Sequence, residues 1–237
     1  MNDPIEATRA AHTQDMPPAE RPFVCLSYAQ SLDGSIAAKP GAPTPISGPL
    51  SLRMTHQLRA AHDAILIGVG TALADDPQLT VREVDGENPA AVVLDSNLRL
   101  PRDSRLLAAS RRSHVFCSQS AQAQRGPQLI SAGASIHSVA QDDMGLLDLH
   151  AVLSELRSAG YRSVMVEGGA LVIAHFLRNR LVDWIVLTIA PLLLGGLRIP
   201  FSDSPAFDWE PVRVDVKGTR LYGDDIVLWG PPDWEAR

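Results

Sequence analysis

Short apolar runs alternate with longer stretches of helical spacing along most of this 237-residue chain. Residues 23–29, 64–67, 91–94, 114–117, 163–166 and 184–190 read as buried strands, with 35–38 as a short extension after the turn at Asp33-Gly34. Leu50, Met54, Leu58 and Ala61 recur at helical spacing, with Ser47 as predicted N-cap and Pro49 in the first turn. Asp148 is a second predicted cap, ahead of the stripe Leu149, Val152, Leu153 and Leu156, and Gly160 stops that helix. A further helix is predicted over 170–180. This alternation predicts an α/β fold, a mostly parallel central sheet flanked by helices. The C-terminal end departs from it. Residues 212–222 and 225–229 flank Gly223-Asp224, a two-residue hairpin signal, so an antiparallel hairpin closes the sheet.

Residues 1–21 carry Asp3, Glu6, Asp15 and Glu20 and no apolar core, so they read as a disordered N-terminal tail and not a signal peptide. Residues 22–237 show no repeat and no linker and read as one domain. The longest apolar stretch, 184–194, is broken by Pro191 and is too short to span a bilayer, so no membrane partner is expected. Hydrophobic residues make up 45% of the chain but aromatics only 5%, so the core must be mainly aliphatic. The net charge of −6, with no basic run, argues against nucleic acid. It leaves room for a small phosphorylated ligand, which needs only one or two local arginines. Cys25 and Cys117 sit in separate apolar segments with no zinc spacing; they read as buried, reduced thiols and suit the cytoplasm.

In open α/β sheets, ligands bind beyond the carboxyl ends of the strands. Three segments share that position: 68–76, 95–99 and 167–170. Glu167-Gly168-Gly169 opens a helix, where free N–H groups and close backbone approach favour a phosphate; a plain tight turn explains the glycines equally well. Glu167 beside a phosphate would be unusual, and its carboxylate instead suits amino or hydroxyl groups of an organic substrate. Asp75-Asp76-Pro77 fits acid/base chemistry or, with more weight, a turn. Arg59, off the apolar stripe of its helix, and Arg82 each read alone as solvated charges; together they suit an anion clamp. His56, His62 and His175 show no partner pattern, and nothing in the chain has metal-ligand spacing.

Taken together, 31–37 (SLDGSIA), 58–82 (LRAAHDAILIGVGTALADDPQLTVR), 92–101 (VVLDSNLRLP), 164–177 (VMVEGGALVIAHFL) and 181–196 (LVDWIVLTIAPLLLGG) resemble the riboflavin-biosynthesis pyrimidine reductases. That family includes the C-terminal reductase domain of the bifunctional deaminase–reductase, and the likeness runs from about Pro22 to Trp229. It implies a dihydrofolate-reductase-like fold, NADPH as cofactor and a homodimer. It also implies a stand-alone oxidoreductase acting on a phosphorylated pyrimidine: the ribosyl group of a ribosylamino-pyrimidine 5′-phosphate becomes ribityl, by hydride transfer to the sugar C1′ of an opened imine. By the resemblance, Thr71, Asp75, Ser96, Gly168, Gly169 and Ala170 contact the cofactor. Arg59, Leu79, Arg82 and Glu167 contact substrate, the two arginines holding its 5′-phosphate.

The chain departs from the family at two places. Ser27 followed by Tyr28 stands where bacterial members often have Lys, and Pro43-Thr44-Pro45-Ile46-Ser47 lacks the usual substrate-binding Ser and cofactor-stacking aromatic. Two other functions stay open on the same platform: a dihydrofolate or pterin-type reductase or paralogue with another substrate, and a catalytically silent NADP-binding protein.

Overall fold

The computed structural model describes residues 3–14, 20–108, 111–199 and 211–235. In chain order the elements are α1 (Pro4–Gln14), β1 (Phe23–Ser31), β2 (Ser35–Ala37), α2 (Pro49–Ala60), β3 (Ala64–Gly68), α3 (Val69–Asp75) and β4 (Ala90–Leu94). There follow α4 (Arg105–Ala108), β5 (Ser113–Cys117), α5 (Gln119–Ile130), β6 (Ser135–Ser138), α6 (Leu149–Ser158), β7 (Ser163–Gly168) and α7 (Ala170–Arg178). The chain ends with β8 (Trp184–Ala190), β9 (Leu197–Arg198), β10 (Arg213–Val214), β11 (Gly218–Tyr222), β12 (Asp225–Gly230) and β13 (Pro232–Asp233).

Nine strands form one sheet in the order β11-β12-β8-β1-β7-β3-β4-β5-β6. All pairings from β8 across to β6 are parallel; β12 runs antiparallel to both β8 and β11. The mixed fold class and the closing hairpin expected from the sequence are both present. Parallel strands need cover on both faces, and the sequence supplies it. On one face Val24, Leu26, Val164 and Val166 meet the α6 stripe and Ile173 and Phe176 of α7. On the other, Cys25, Met165 and Val186 meet Met54 and Leu58 of α2, while Ile65, Ile67 and Val115 pack with α3, α4 and α5 residues. Both cysteines are buried and free.

Three expectations need correction. Within the supposed tail, Pro4–Gln14 is helix α1, started by Asp3, whose Oδ1 accepts Ile5 N–H at 2.8 Å. Ile5, Thr8 and Ala11, spaced three apart, are buried, with Ile5 and Ala11 on the Met54–Leu58–Trp229 cluster; the intervening charges hid that short stripe. Residues 1, 2 and 15–19 of that stretch lie outside the described residues. Helix α2 is capped not by Ser47 but at Gly48, and the buried Asp225 carboxylate, sent from β12, accepts the Gly48 N–H and the Ser51 hydroxyl. Leu50 of the predicted stripe is exposed, while Arg59, a solvated charge when read alone and a substrate contact by the resemblance, is buried. Helix α5 and strand β6 were not read from the sequence, since the helix is built largely of Gln, Ser and Ala with a proline inside it.

Candidate active site

The carboxyl ends of β1, β3, β4, β7 and β8 open onto a cleft of about 1080 Å³, roofed on one side by residues 39–47 and on another by 145–147. That is the upper end of the usual range for ligand sites. Arg59, Thr71, Asp75, Ser96, Glu167, Gly169 and Ala170 all line it, so seven of the ten residues singled out by the sequence meet in one space. Gly168 lies one residue back, and Leu79 and Arg82 are not among its lining residues.

Strand β7 passes into α7 through two glycines in the left-handed half of backbone space, Gly168 at φ 101° and Gly169 at φ 83°. The fit there is close. The Thr71 hydroxyl donates to Gly168 O at 3.4 Å, and a Cβ on Gly169 would stand 2.8 Å from Thr71 Oγ1. The first helical bond runs from Ile173 N–H to Gly169 O. The amides of Ala170, Leu171 and Val172 therefore have no acceptor inside the helix, and all three residues face the cleft. A bare backbone, free N–H groups and a nearby hydroxyl suit a pyrophosphate.

Across the cleft, Arg59 and Glu167 form a two-pronged ion pair: Nε to Oε1 at 2.6 Å and Nη2 to Oε2 at 2.7 Å, with side chains only 11% and 13% exposed. Arg59 Nη1 also donates to Thr80 O at 3.2 Å. Burial works against the Arg59 charge, and the Glu167 carboxylate more than offsets it, raising the guanidinium pKa. Arg82 is exposed, its Nη1 donating to Thr80 Oγ1 at 2.8 Å and its backbone N–H to His56 Nδ1 at 3.1 Å. It still feels this cluster: burial, then the like charges of Arg59 and Arg105, lower its pKa. Leu79 is buried in the core at φ 51°, and its carbonyl accepts from Arg111 at 2.7 Å; its side chain packs away from ligand space.

At the far end, buried Asp95 shapes the turn after β4. Its Oδ2 accepts Leu100 N–H at 2.8 Å and its carbonyl accepts Leu98 N–H at 3.0 Å. That turn presents Ser96, Asn97 and Arg99 to the cleft. Of the two carboxylates before Pro77, Asp76 belongs to a turn, with φ 37° and bonds from Ser104 Oγ and Arg105 N–H. Asp75 faces the cleft, where burial raises its pKa.

Sequence reasoning noted Ser27 and Tyr28 only as a departure from the family and did not single out Thr188. Ser27 and Thr188 face the cleft from buried positions, and half-buried Tyr28 faces it too, its phenol pushed up to about 12 by burial. Strand alternation placed none of these inside a motif. His175, which showed no partner pattern, sits 3.5 Å from Asp142 Oδ2, on a loop far upstream that no local spacing connects to it.

The RibD C-terminal domain model matches residues 22–228. The 2,5-diamino-6-ribosylamino-4(3H)-pyrimidinone 5′-phosphate reductase of Methanothermobacter thermautotrophicus is 35% identical over 214 residues, covering 88% of this chain and 97% of its own. The protein of the same name from Debaryomyces hansenii is 36% identical, covering 86% and 92%. Among solved structures, RibD of Acinetobacter baumannii superposes with a TM-score of 0.77 at 26% identity, covering 90% of this chain and 59% of that longer one. The riboflavin biosynthesis reductase of Saccharomyces cerevisiae gives 0.72 at 27% identity and 92% coverage of both. Dihydrofolate reductase of Enterococcus faecalis, at 16% identity and a TM-score of 0.50 over 89% of this chain and 97% of its own, shares the fold. Sequence match, fold and the disposition of the cleft agree: the chain belongs to the RibD C-terminal domain family, the pyrimidine reductases of riboflavin biosynthesis.

Proposed function

We propose that this protein uses NADPH to reduce the ribosyl group of a ribosylamino-pyrimidine 5′-phosphate to ribityl. One observation carries the reading: a single cleft runs from Ser96 and Arg99, past the free amides of α7, to the Arg59–Glu167 pair. The names of relatives at 35–36% identity support the substrate class. The cleft fits a dinucleotide phosphate. Arg99 with Ser96 suits the adenosine 2′-phosphate that separates NADPH from NADH, Thr71 and residues 168–170 suit the pyrophosphate, and Asp75 lines the same cleft. A bound nicotinamide supplies the hydride, the chemistry that side chains cannot perform.

The remaining work falls to the chain's own groups. Glu167, held at both oxygens by Arg59, keeps lone pairs for amino groups of the pyrimidine. Arg82, with the outward N–H groups of Arg59, holds the 5′-phosphate, and the neighbouring Arg105 and Arg111 strengthen the local positive field. Tyr28 remains a neutral donor throughout the physiological range. Leu79 acts by setting the backbone path between the two arginines. Residues 22–237 act as one reductase unit. The adjoining exposed side chains of Leu32, Leu192 and Leu193 support a homodimer, and two free buried thiols suit the cytoplasm.

The test is NADPH oxidation with the diamino-pyrimidinone and uracil forms of the substrate, run beside dihydrofolate and beside NADH. Turnover with a ribosylaminopyrimidine phosphate and not with dihydrofolate is expected. The reverse pattern, or tight NADPH binding with no turnover on any pyrimidine, refutes the proposal.

A further inference from the structure

Strands β7, β1 and β8 lie side by side, with Glu167, Ser27 and Thr188 on one face. Cys25 is opposite Met165 and Ser27 opposite Val186. Cys25, Met165 and Val186 share the core cluster under α2, so Ser27 and Thr188, two positions further along their strands, share that face; β7 bulges against β3 at Glu167, and the ion pair with Arg59 of α2 places Glu167 on it as well. Three parallel strands therefore change together from apolar to polar as they reach the cleft.

Ser27 is 6% exposed and Thr188 4%, yet both line the cleft. Neither hydroxyl has a hydrogen-bond partner among the described residues, and neither is among the buried side-chain atoms sealed without one. Each is thus turned to the cleft with its bonding capacity unspent. A β-branched apolar residue would suit either strand position, so a hydroxyl kept at both, open to the cleft and bonded to no protein group, is available to whatever occupies that space. Two such positions in one row beside Glu167 point to a ligand that supplies the missing partners.

We infer that Ser27 and Thr188 hold the hydroxyl groups of the sugar that is reduced. This rests on the function proposed above. The two positions lie on a diagonal of roughly 8 Å, from the strand spacing and the rise per residue, so one pentose chain can meet both. Hydroxyl side chains also suit what happens to that sugar. When the glycosylamine opens, the C1′–O4′ bond breaks, the proton on nitrogen passes to O4′ and a C1′=N bond forms. The ring oxygen changes from acceptor only to acceptor and donor. A Ser or Thr hydroxyl can rotate from donating to accepting and follow that change, as an ammonium group cannot.

The experiment compares wild type with Ser27→Ala, Thr188→Val and Thr188→Ser, measuring kcat/KM with the ribosylaminopyrimidine phosphate, NADPH affinity by fluorescence, and thermal midpoint. Ser27→Ala and Thr188→Val should each lower kcat/KM by about tenfold, the loss of one ligand hydrogen bond, with NADPH affinity unchanged. Thr188→Ser, which keeps the hydroxyl, should stay within about threefold of wild type. Thr188→Val preserves shape and β-branching and keeps the strand folded. Near-wild-type turnover in both hydroxyl deletions overturns the assignment, as does a Thr188→Ser as impaired as Thr188→Val, or NADPH affinity falling in step with turnover. An inactive wild type refutes the parent reading instead; an active wild type with unaffected variants refutes this one alone.

Discussion

Arg59 and Glu167 meet edge to edge inside the cleft, with two short bonds between a buried guanidinium and a buried carboxylate. The pair joins α2 to the end of β7, the strands and helix that frame the substrate side. It gives the carboxylate a fixed orientation and leaves Arg59 two N–H groups that bind neither Glu167 nor Thr80. Removing one partner strands the other charge in a poorly solvated place. Arg59→Ala should therefore cost about 3 kcal/mol of stability as well as turnover. The double variant Arg59→Met with Glu167→Leu should regain most of the thermal midpoint, because apolar replacement of a buried pair is often neutral. It should remain inactive. A double variant that turns over substrate would show the pair to be structural only.

Arg82 differs from Arg59 in burial, and its replacement should differ in effect. It is exposed and its bonds to Thr80 and Gln78 are local, so Arg82→Ala should leave the thermal midpoint almost unmoved. KM for a phosphorylated pyrimidine should rise about tenfold, the worth of a charge-assisted hydrogen bond. NADPH affinity should hold, and equal loss of both would place Arg82 on the cofactor instead.

Gly169 tests the cofactor side. Alanine there needs φ near 83° and would put Cβ 2.8 Å from Thr71 Oγ1, so the α7 N-terminus must shift. NADPH affinity should fall by at least tenfold, since about 1–3 kcal/mol of strain falls where the pyrophosphate sits. Because Thr71→Ala alone also removes a hydroxyl from the pyrophosphate site, the comparison is between backgrounds: Gly169→Ala should cost less affinity in Thr71→Ala protein, where the clashing oxygen is gone, than in wild type or Thr71→Ser. Titration by protein fluorescence distinguishes the cases; an equal loss in all backgrounds would mean that backbone strain alone is responsible.

The parallel strands, the hairpin at Gly223-Asp224 and the Glu167–Ala170 turn were legible because each is a local pattern of burial or backbone freedom. Six of the seven site residues that meet in the cleft converge because three strand ends in one parallel sheet must share an edge; Arg59 reaches it from α2. What stayed hidden depends on distant partners. Nothing near Gly48 announces a cap from Asp225, and nothing near Arg59 announces burial by Glu167, more than a hundred residues away. Ser27 was legible only as a departure from the family and Thr188 not at all, because a hydroxyl in a strand has no motif; only the sheet register aligns them.

Helix α1 shows how a charged segment can still be structural. Ile5 and Ala11 sit on the cluster that also holds Met54 and Leu58 of α2, so α1 braces the helix that carries Arg59. Ile5→Ala should cost about 2 kcal/mol, a large-to-small change at a site that can partly relax. In a chain of this size that lowers the thermal midpoint by roughly 4–8 °C. An unchanged midpoint would mean that α1 does not pack as described.

Acid should destabilise this protein through its histidines, and the sign follows from the direction of their shifts. His114 is pushed down to about 4, first by burial and then by His137 and Arg112, and His62 to about 4, mainly by burial. His114 bridges His137 Nε2 at 2.9 Å and the Tyr161 hydroxyl at 2.8 Å, and His137 in turn stacks on Phe116 and lies 3.9 Å from Glu155. His62 bonds Leu58 O at 2.7 Å. Because the folded pKa lies below the unfolded value of about 6.5, the unfolded chain binds protons first. The stabilisation is complete above that value and is lost as pH falls toward 4. Each histidine then contributes on the order of 1–3 kcal/mol of acid sensitivity. Thermal midpoints should hold between pH 7 and 8 and drop steadily from pH 6.5 to 4.5. His114→Gln should flatten that slope by about half, because one of the two most depressed groups is gone while a hydrogen bond to Tyr161 can persist. A slope unchanged by His114→Gln would assign the acid response to the carboxylates instead.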